Sequence, residues 1–323
     1  MAAGGALAQT TDGLPVLRAD RGDSRAVLAL INAVQPHIPW SRGDLAWQYF
    51  DGPADAPSRL YAIRDGERLV SLYGAVAKPF RLGARTVTGF MVQDVMTDPA
   101  YRGRGYLNFL AALCADEIRG SVGIGYTFPN NQSENSFRRS GWHELMTVPL
   151  RHRPVCADAG QAAALQEQTG ALGDRATTIW RDSGHECGVE RTGAVADWHY
   201  RRPGAVYRRF LQADGSGFVV LKRYDREDGP VIHICDLVVS ATARDRLAAI
   251  LEAIERIAAL DGVTSLTAWL PQGHPYAEAY DAFGLGMDPT HDRVMFVTAQ
   301  APLPPLLTDP AAWHLSQGDS DVY

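Results

Sequence analysis

The chain lacks several features that would place it in common classes of protein. Its net charge at pH 7 is -6, which argues against nonspecific nucleic-acid binding, because such binding needs a basic surface. The basic clusters Arg151–Arg153 and Arg208–Arg209 are short and are typical of a solvated face or a phosphate contact. No apolar run approaches the length that spans a membrane. We therefore expect neither a nucleic acid nor a membrane as a partner.

Cysteine is also scarce. Cys114, Cys156, Cys187 and Cys235 are widely spaced, with no Cys-x-x-Cys pair and no histidine at metal-binding spacing. We expect no metal site, and this cysteine usage fits a reducing cytoplasm. The stretch Met1–Gln9 has no basic region and no long apolar core, so we do not expect a signal peptide.

What the chain does have is a glycine-rich basic turn between a strand and a helix. Phe90–Met96 is apolar and predicts a buried strand, which Pro99 ends because proline has no N–H to donate. Arg102–Gly105 follows, and apolar residues then recur at helical spacing over Leu107–Ile118. Flexible glycines, a helix N-terminus and two arginines predict a cradle for a pyrophosphate. A surface turn or an RNA-binding segment is the alternative, which the flanking strand and helix disfavour.

This order of elements resembles the coenzyme A loop of the GNAT superfamily of N-acyltransferases. The family pattern is Arg/Gln-x-x-Gly-x-Gly/Ala, and Arg102–Gly105 match its first four positions, whereas Leu107 replaces the final small residue. The resemblance implies that an acyl-coenzyme A is bound by the bent strand and the turn, through Val95, Met96, Thr97, Arg102, Gly103, Arg104, Gly105, Tyr106 and Leu107.

A second motif supports the first. The uncharged run Gly123–Phe128 predicts a strand, and placing Gly141-Trp142 on the family's Gly-Phe puts Asn130, Ser133 and Phe137 on its Asn, Ala and Tyr positions without a gap. The resemblance implies that Asn130 and Ser133 open a helix along the pantetheine arm. Gly141 would end that helix, which is equally typical of a capped surface helix. Phe137 cannot donate the proton that many family members give to the leaving thiolate from a tyrosine.

The chain repeats this pattern at a distance of about 140–150 residues. Leu45–Phe50 and Ala196–Arg201 each contain Trp-x-Tyr, and a hairpin, a strand ending near Asp94 or Asp236, and two helices follow in the same order. Any two α/β domains share such an order, but the paired motifs favour duplication. We expect an α/β (α+β) fold of two tandem GNAT-like domains, each a mixed twisted sheet flanked by helices.

The repeat sets the expected domain boundaries. They are a flexible N-terminus (1–14), a GNAT domain with the coenzyme A site (15–155), a linker (156–185), a degenerate GNAT-like domain (186–300) and a C-terminal tail (301–323). Within the linker, Ala159–Gln168 predicts a helix and Thr177–Trp180 a short strand. Thr242–Arg246 stands where the second copy should have its cradle, and it contains no glycine. We expect one coenzyme A per chain and a second domain that shapes the acceptor pocket or an interface. Trp313 predicts that the tail docks on the protein.

Acyl transfer to an amine needs a base, hydrogen-bond donors for the carbonyl oxygen and close positioning of the reactants. The family's donors are backbone groups at the bent strand, here Val95–Thr97. Asp94 is the first candidate base, although a buried structural carboxylate is the alternative, which its copy Asp236 favours. Glu134 and His143 are the next candidates. His37 and Trp40 lie where the family's first helices form the acceptor wall.

We therefore expect a coenzyme A-dependent N-acyltransferase that moves an acetyl or other short acyl group to the primary amine of a small molecule. The overall layout and the tail resemble bacterial transferases that acylate nucleotide-linked amino sugars. A protein or peptide N-acetyltransferase is one alternative, and a non-enzymatic module that binds acyl-coenzyme A is another. A homodimer is left open.

Overall fold

The structure is a computed structural model that describes residues 6–156, 165–227 and 229–320. The strands are β1 (Ala8–Gln9), β2 (Pro15–Arg18), β3 (Arg59–Asp65), β4 (Arg68–Leu82), β5 (Arg85–Thr97), β6 (Ile124–Thr127), β7 (His143–Pro154), β8 (Leu165–Gln168), β9 (Cys187–Val189), β10 (Arg208–Gln212), β11 (Gly217–Arg226), β12 (Gly229–Val239), β13 (Ser265–Trp269) and β14 (Gly286–Ala299). The helices are α1 (Ser24–Val34), α2 (Arg42–Tyr49), α3 (Tyr106–Arg119), α4 (Glu134–Arg139), α5 (Asp174–Asp182), α6 (Gly193–His199), α7 (Leu247–Leu260), α8 (Ala277–Phe283) and α9 (Pro305–Thr308). Within the described residues, we find no helix whose length and apolar character would suffice to span a membrane.

The chain folds into two compact units. Unit 1 combines Met1–Pro79, Val87–Leu145 and Met295–Pro304. Unit 2 combines Phe80–Thr86, Met146–Val294 and Pro305–Tyr323. The domain boundaries expected from the sequence stay a prediction.

Unit 1 has a mixed sheet. Its strands follow the order β1-β2-β3-β4-β5-β6, and the end of β14 pairs antiparallel to β6, from Phe296 opposite Thr127 to Ala299 opposite Ile124. The pairs from β1 to β4 are antiparallel, whereas β5 and β6 run parallel. A parallel pair needs a crossover connection, which α3 provides.

Unit 2 repeats this topology. Its strands follow the order β8-β10-β11-β12-β13, and the end of β7 pairs antiparallel to β13. The one parallel pair that we find in the described part of unit 2 joins β12 to β13, with α7 as the crossover. Helix α6 ends at His199 beside the second Trp-x-Tyr, as α2 ends at Tyr49 beside the first. The expected fold class is confirmed.

The helix predicted after the glycine-rich turn is also confirmed. Helix α3 buries Tyr106, Leu110, Ala111, Cys114, Ala115 and Ile118. These positions are three, four or one residue apart and form one face of a helix. Cys114 is fully buried, as its place on the apolar side of the helix predicts.

The linker differs from its prediction. Residues 165–168, expected to end a helix, form β8, because each pairs with a residue of β10 and Glu167 forms an ion pair with Arg208. Residues 159–164 of that expected helix lie outside the described residues. The prediction of a strand at Thr177–Trp180 is wrong. These residues lie in α5, which buries Ala176, Ile179 and Trp180 at helical spacing. Tertiary contacts outweigh the local preference of two β-branched threonines.

The N-terminal segment also has regular structure. Residues 1–14 are expected from the sequence to be flexible, and residues 1–5 lie outside the described residues. Ala8 and Gln9 form β1 and pair with Val16 and Pro15. The turn between β1 and β2 is held by Thr10, whose hydroxyl accepts a 2.9 Å hydrogen bond from the backbone N–H of Leu14.

Candidate functional site in the first unit

The parallel strands of unit 1 are paired over only part of their length. The pairs of β5 with β6 run from Gly89 opposite Ile124 to Val92 opposite Thr127, and β5 then continues to Thr97. The Thr127 hydroxyl donates a 3.0 Å hydrogen bond to the Val92 carbonyl at the end of the paired region. The stretch expected to hold the thioester, Val95–Thr97, therefore lies beyond the last pair with β6.

Four residues separate the end of β5 from the glycine-rich turn. A short 3-10 turn, Pro99–Tyr101, leads into Gly103 and Gly105, whose φ angles are 81° and 77°. A Cβ at either glycine would meet no atom within 4 Å, so the left-handed backbone and not crowding requires glycine there. Gly105 is the N-cap of α3, which directs unpaired N–H groups and partial positive charge at the turn. These features fit a pyrophosphate.

The two arginines of the turn are exposed. Arg102 donates a long 3.4 Å hydrogen bond from Nε to the Thr97 carbonyl. Arg104 stacks on Tyr101, with 4.7 Å from its guanidinium carbon to the ring centroid. Both side chains are close enough to solvent to meet an incoming phosphate.

Asp12 contacts this turn and was not predicted from the sequence. Its carboxylate accepts a 2.7 Å hydrogen bond from the Tyr106 hydroxyl and lies 3.4 Å from Arg104. The hydrogen bond from Thr10 and then that from Tyr106 lower the pKa of Asp12 below its ordinary value. Asp12 thus holds a negative charge beside Arg104, where a phosphate would compete with it. The only local signal was Thr10 two residues earlier, which is typical of a turn.

The second predicted motif forms a capped helix. The side-chain oxygen of Asn130 accepts hydrogen bonds from the backbone N–H groups of Gln132 and Ser133, at 3.0 and 3.1 Å. Ser133 is the N-cap of α4, and Gly141 follows the helix with φ 75°. The start and end of this helix are as predicted. The Ser133 hydroxyl also donates a 3.1 Å hydrogen bond to Asn130 Oδ1, so these two side chains bind each other.

Phe137 lies in an aromatic cluster. It is 1% exposed, and its ring centroid lies 5.3 Å from Trp142, 6.2 Å from Phe296 and 6.3 Å from Tyr73. The residue that stands in place of the family's tyrosine therefore acts as core packing in this structure. The hydroxyl of neighbouring Tyr73 is buried and has no hydrogen-bond partner among the described residues.

Asp94 lies at an irregular point of β5. Its φ is 53°, and we find no other non-glycine residue with positive φ in the described part of the chain. One carboxylate oxygen accepts a 2.7 Å hydrogen bond from the Tyr49 hydroxyl and further bonds from the amides of Gln48 and Gln93. Such backbone strain persists only where the surroundings hold it in place, and it clusters at functional sites. Here α2 supplies two of the groups that hold it.

Of the other predicted residues, two are partly buried and two are exposed. Glu134 forms an i,i+4 ion pair with Arg138, 2.7 Å between Oε1 and Nη2. His143 is exposed at the start of β7, and His37 is exposed in the connection between α1 and α2. Trp40 is partly buried, and its backbone N–H and carbonyl are both held by the side chain of Asn32, at 2.7 and 3.1 Å. Among Asp94 and these four residues, only Asp94 lies at the irregular point of β5.

A large cleft opens on another part of unit 1. Its volume is about 1350 Å³, and Tyr49, the partner of Asp94, lies in its wall beside Phe50. Charged residues of both signs share the lining, namely Arg18, Asp20, Arg21, Asp23, Asp55 and Arg64. Sequence reasoning missed this cleft, because its residues come from separated stretches that only the fold brings together.

Comparison with known proteins identifies the first unit. Residues 17–144 match the family model described as "Acetyltransferase (GNAT) domain". This segment is a GNAT domain. The predicted enzyme class, an acyl-coenzyme A-dependent N-acyltransferase, and the predicted acyl-coenzyme A co-substrate are thereby confirmed. A search among curated proteins found no match.

Solved structures show the same fold over most of the chain. A GCN5-related N-acetyltransferase from Anabaena variabilis is 12% identical, with a TM-score of 0.62 over 88% of this chain and 72% of that one. Saccharomyces cerevisiae N-myristoyltransferase with bound myristoyl-coenzyme A is 10% identical, with a TM-score of 0.61 over 94% and 88%. A GCN5-related N-acetyltransferase from Kribbella flavida is 15% identical, with a TM-score of 0.59 over 88% and 70%.

The counterpart of the GNAT loop in unit 2 has no comparable cradle. Ala241–Arg246 forms an irregular 3-10 segment, and Arg246 forms an ion pair with Asp214. Asp245 adds negative charge where the GNAT domain carries only arginines. The expectation of a single coenzyme A site, in the GNAT domain, stays a prediction.

Unit 2 also contains a cluster of three buried histidines that the sequence did not single out. Possible ligand atoms of His185, His274 and His314 lie within 4.8 Å of one another. The Tyr276 N–H donates to His274 Nδ1 at 3.1 Å, so a neutral His274 carries its proton on Nε2. That proton points at His314 Nδ1, 3.3 Å away. His274 therefore has no lone pair left for a metal, and the cluster is built as a hydrogen-bond chain.

Proposed function

We propose that the protein transfers an acetyl or other short acyl group from coenzyme A to the primary amine of a small molecule, with a nucleotide-linked amino sugar as the first acceptor to test. The observation that carries the proposal is the turn Arg102–Gly105, with two left-handed glycines between the end of β5 that extends beyond β6 and the N-terminus of α3. Its donors and charges suit the pyrophosphate of coenzyme A.

The proposed direction of the bound thioester follows from the strand. With the pyrophosphate at Arg102–Gly105, the pantetheine arm would run back along the β5 edge toward Asp94. Backbone groups of Val95–Thr97 would then face the thioester carbonyl, where hydrogen-bond donors stabilise developing charge. Asp94 would take the amine proton directly or through a water.

The proposed acyl length rests on polarity. The side chains of Gln48, Tyr49 and Asp94 meet at the irregular point of β5. A long aliphatic chain that ran past Val95 would have to lie against these polar groups, which costs free energy because they prefer hydrogen-bonding surroundings. A short acyl group avoids this cost. The N-myristoyltransferase of the same fold makes the long chain the alternative to exclude.

The proposed acceptor rests on the cleft beside Tyr49. Aspartates in its wall suit a protonated amine as it arrives, and arginines suit a phosphate group. A molecule that carries both an amine and a diphosphate would use both. Peptide acceptors are the second candidate, because a cleft of about 1350 Å³ also accommodates a short chain.

A two-way panel tests the proposal. Acetyl-, butyryl- and myristoyl-coenzyme A are each combined with nucleotide-linked amino sugars, free amino sugars and peptides with free N-termini, and released thiol is measured. We expect the highest kcat/KM for a short acyl donor and a nucleotide-linked amine. Turnover only with myristoyl-coenzyme A would reject the proposed short acyl group. Turnover only with peptides would reject the proposed small-molecule acceptor. Binding of coenzyme A without any turnover would favour a sensing module. The cytoplasm stays the proposed compartment, on the strength of four free cysteines.

A further inference from the structure

The C-terminal segment of unit 2 is buried although it is polar. Every residue of Trp313–Ser320 is buried, and the exposed fractions of Gln317 and Asp319 are 0% and 2%. Buried polar groups cost free energy unless they are hydrogen-bonded. The polar groups of this segment must therefore find hydrogen-bond partners within unit 2.

Arg191 satisfies the acidic part of the segment. It is 4% exposed, and its guanidinium binds Asp319 at 2.5 Å, the Ser316 hydroxyl at 3.1 Å and Asp236 at 3.1 Å. Hydrogen bonds between charged groups are about twice as strong as neutral ones. One buried cation thus joins a carboxylate of the segment to a carboxylate of β12.

The histidine chain holds the start of the segment. His314 accepts from His274 through Nδ1, and its Nε2 lies 3.6 Å from Asp236 Oδ1. The His314 backbone N–H donates a 2.8 Å hydrogen bond to the Cys187 carbonyl in β9. Trp313 packs against Phe80 with 5.3 Å between ring centroids. Residues of unit 2 thus contact both the side chains and the backbone at the start of the segment.

Two glycines make the fit close. A Cβ on Gly318 would lie 2.5 Å from the Tyr200 hydroxyl and 2.7 Å from the Cys235 carbonyl. A Cβ on Gly188 would lie 2.6 Å from the His314 carbonyl. Real Cβ atoms do not approach backbone so closely, so one glycine on each side of the contact permits it.

The segment lies at the counterpart of the acyl-transfer position. The pairs of β12 with β13 end at Ile234 opposite Ala268, while β12 continues to Val239, as β5 continues beyond β6 in unit 1. The Gln317 amide donates a 3.1 Å hydrogen bond to Thr267 on β13, and Asp319 reaches Asp236 on β12 through Arg191. The segment thus contacts both strands where their pairing stops.

We propose that unit 2 is a peptide-binding unit, whose cleft between β12 and β13 recognises an acidic peptide and is filled by residues 313–320 of the same chain. This inference goes beyond the proposed function and does not depend on it. The duplicated fold keeps the cleft, but a polypeptide takes the place that an acyl-coenzyme A would have in a GNAT domain. Arg191 binds the Asp319 carboxylate, and Thr267 binds the Gln317 amide. Tyr200 and Cys235 leave no room for a side chain at Gly318.

The test makes the segment a separable ligand of the full chain. A protease site is inserted between the exposed residues Thr308 and Asp309, and the protein is folded and then cut. It is unfolded in urea and refolded with equal amounts of two synthetic peptides that span residues 309–323. One peptide has the native sequence, and the other carries Gly318→Ala, Asp319→Asn or, as the control, a change at exposed Ala311 to Ser. Native mass spectrometry counts which peptide each refolded protein holds.

We expect the native peptide to exceed the Gly318→Ala and Asp319→Asn peptides at least about tenfold, since each loses an interaction worth more than about 1.4 kcal/mol. The Ala311→Ser peptide should be held equally well. Equal incorporation of all four peptides would overturn the proposal. So would a cut protein that refolds to the same melting temperature with no peptide bound. Every arm uses the same cut protein and differs only in the peptide, so misfolding of a variant protein cannot explain a difference between arms.

Discussion

Tyr49 donates a 2.7 Å hydrogen bond to Asp94, and Tyr200 repeats this contact with Asp236 at 3.0 Å. In both units the tyrosine ends a Trp-x-Tyr motif at a helix C-terminus, and the aspartate lies near the irregular end of a strand. Both units thus contain a contact that anchors a helix to the sheet. The two aspartates differ in their other partners, since Asp236 binds buried Arg191, whereas Asp94 accepts from the neutral amides of Gln48 and Gln93.

This difference separates catalytic from structural roles. Asp94→Asn should lower kcat about 100-fold, the usual scale of general-base catalysis, and should cost only about 1 kcal/mol in the free energy of unfolding. Asp236→Asn should cost about 3–5 kcal/mol, because it leaves part of a buried guanidinium charge unpaired. Steady-state kinetics and urea unfolding of both variants measure this.

An Asp94→Asn enzyme with unchanged kcat would remove Asp94 from the proposed mechanism. Glu134 and His143 would then be the residues to substitute. If Asp94→Asn instead unfolds as readily as Asp236→Asn, the carboxylate is structural in both units.

The glycines of the turn give a second prediction. Replacing Gly103 and Gly105 with valine should abolish coenzyme A binding by calorimetry, because a β-branched residue disfavours positive φ. Gly66 is the matched control, since it also has positive φ, at 56°, and open space around its Cβ. Gly66→Val should lower stability by a similar amount and leave binding intact. Micromolar binding by the double variant would contradict the assignment.

Stoichiometry gives a third prediction. Calorimetric titration of the native chain should show one coenzyme A bound, because the counterpart Ala241–Arg246 contains no glycine and carries Asp245 between its two arginines. The double valine variant should then bind none. Two equivalents of tight binding would show that unit 2 keeps a site of its own.

Phe137 gives a fourth prediction. Phe137→Tyr adds a hydroxyl inside the cluster with Trp142 and Phe296, and an unsatisfied buried hydroxyl costs about 1–3 kcal/mol. We expect a lower melting temperature and no gain in kcat. An increase in kcat would mean instead that the side chain reaches the thiolate and that the family's proton donor can be restored.

The buried histidines give a fifth prediction, on pH. Burial lowers the pKa of His233 and of His274 to about 3 each, and Arg244 near His274 and Arg226 near His233 act in the same direction. Burial lowers the pKa of His185 and His314 as well, with Arg191 adding to the effect. In the unfolded chain each titrates near 6.5. Their neutral forms therefore add stability above pH 6.5, and that stability is lost as the pH falls.

At pH 5 the loss is about 2 kcal/mol each for His233 and His274, because only the unfolded chain takes up the proton. Melting temperatures between pH 8 and pH 5 should fall steeply. His233→Gln should reduce the acid-induced loss, since glutamine does not titrate, whereas the same change at exposed His143 should not. A melting temperature that is flat over this range would contradict the buried, neutral histidines.

The sequence determined those parts of the protein that depend on neighbours along the chain. Arg102–Gly105 could be assigned because a strand, two glycines and a helix start lie within one short stretch, and helical spacing predicted α3. The duplication was legible because Trp-x-Tyr, the aspartates and the Pro…Gly helices recur in the same order. By contrast, β8 and α5 were misassigned, because partners distant in sequence decide whether a marginal segment becomes strand or helix.

Only the tertiary structure decided which side chains meet. Asp12 reaches Arg104 from a distant turn, Phe137 turns into an aromatic core, and His185, His274 and His314 converge from three separate stretches. No local pattern encodes these contacts, because each depends on how strands pair and helices pack across long intervals of chain. The same holds for the C-terminal segment: Trp313 predicted that it docks, but only the fold shows that Arg191 holds Asp319 against β12.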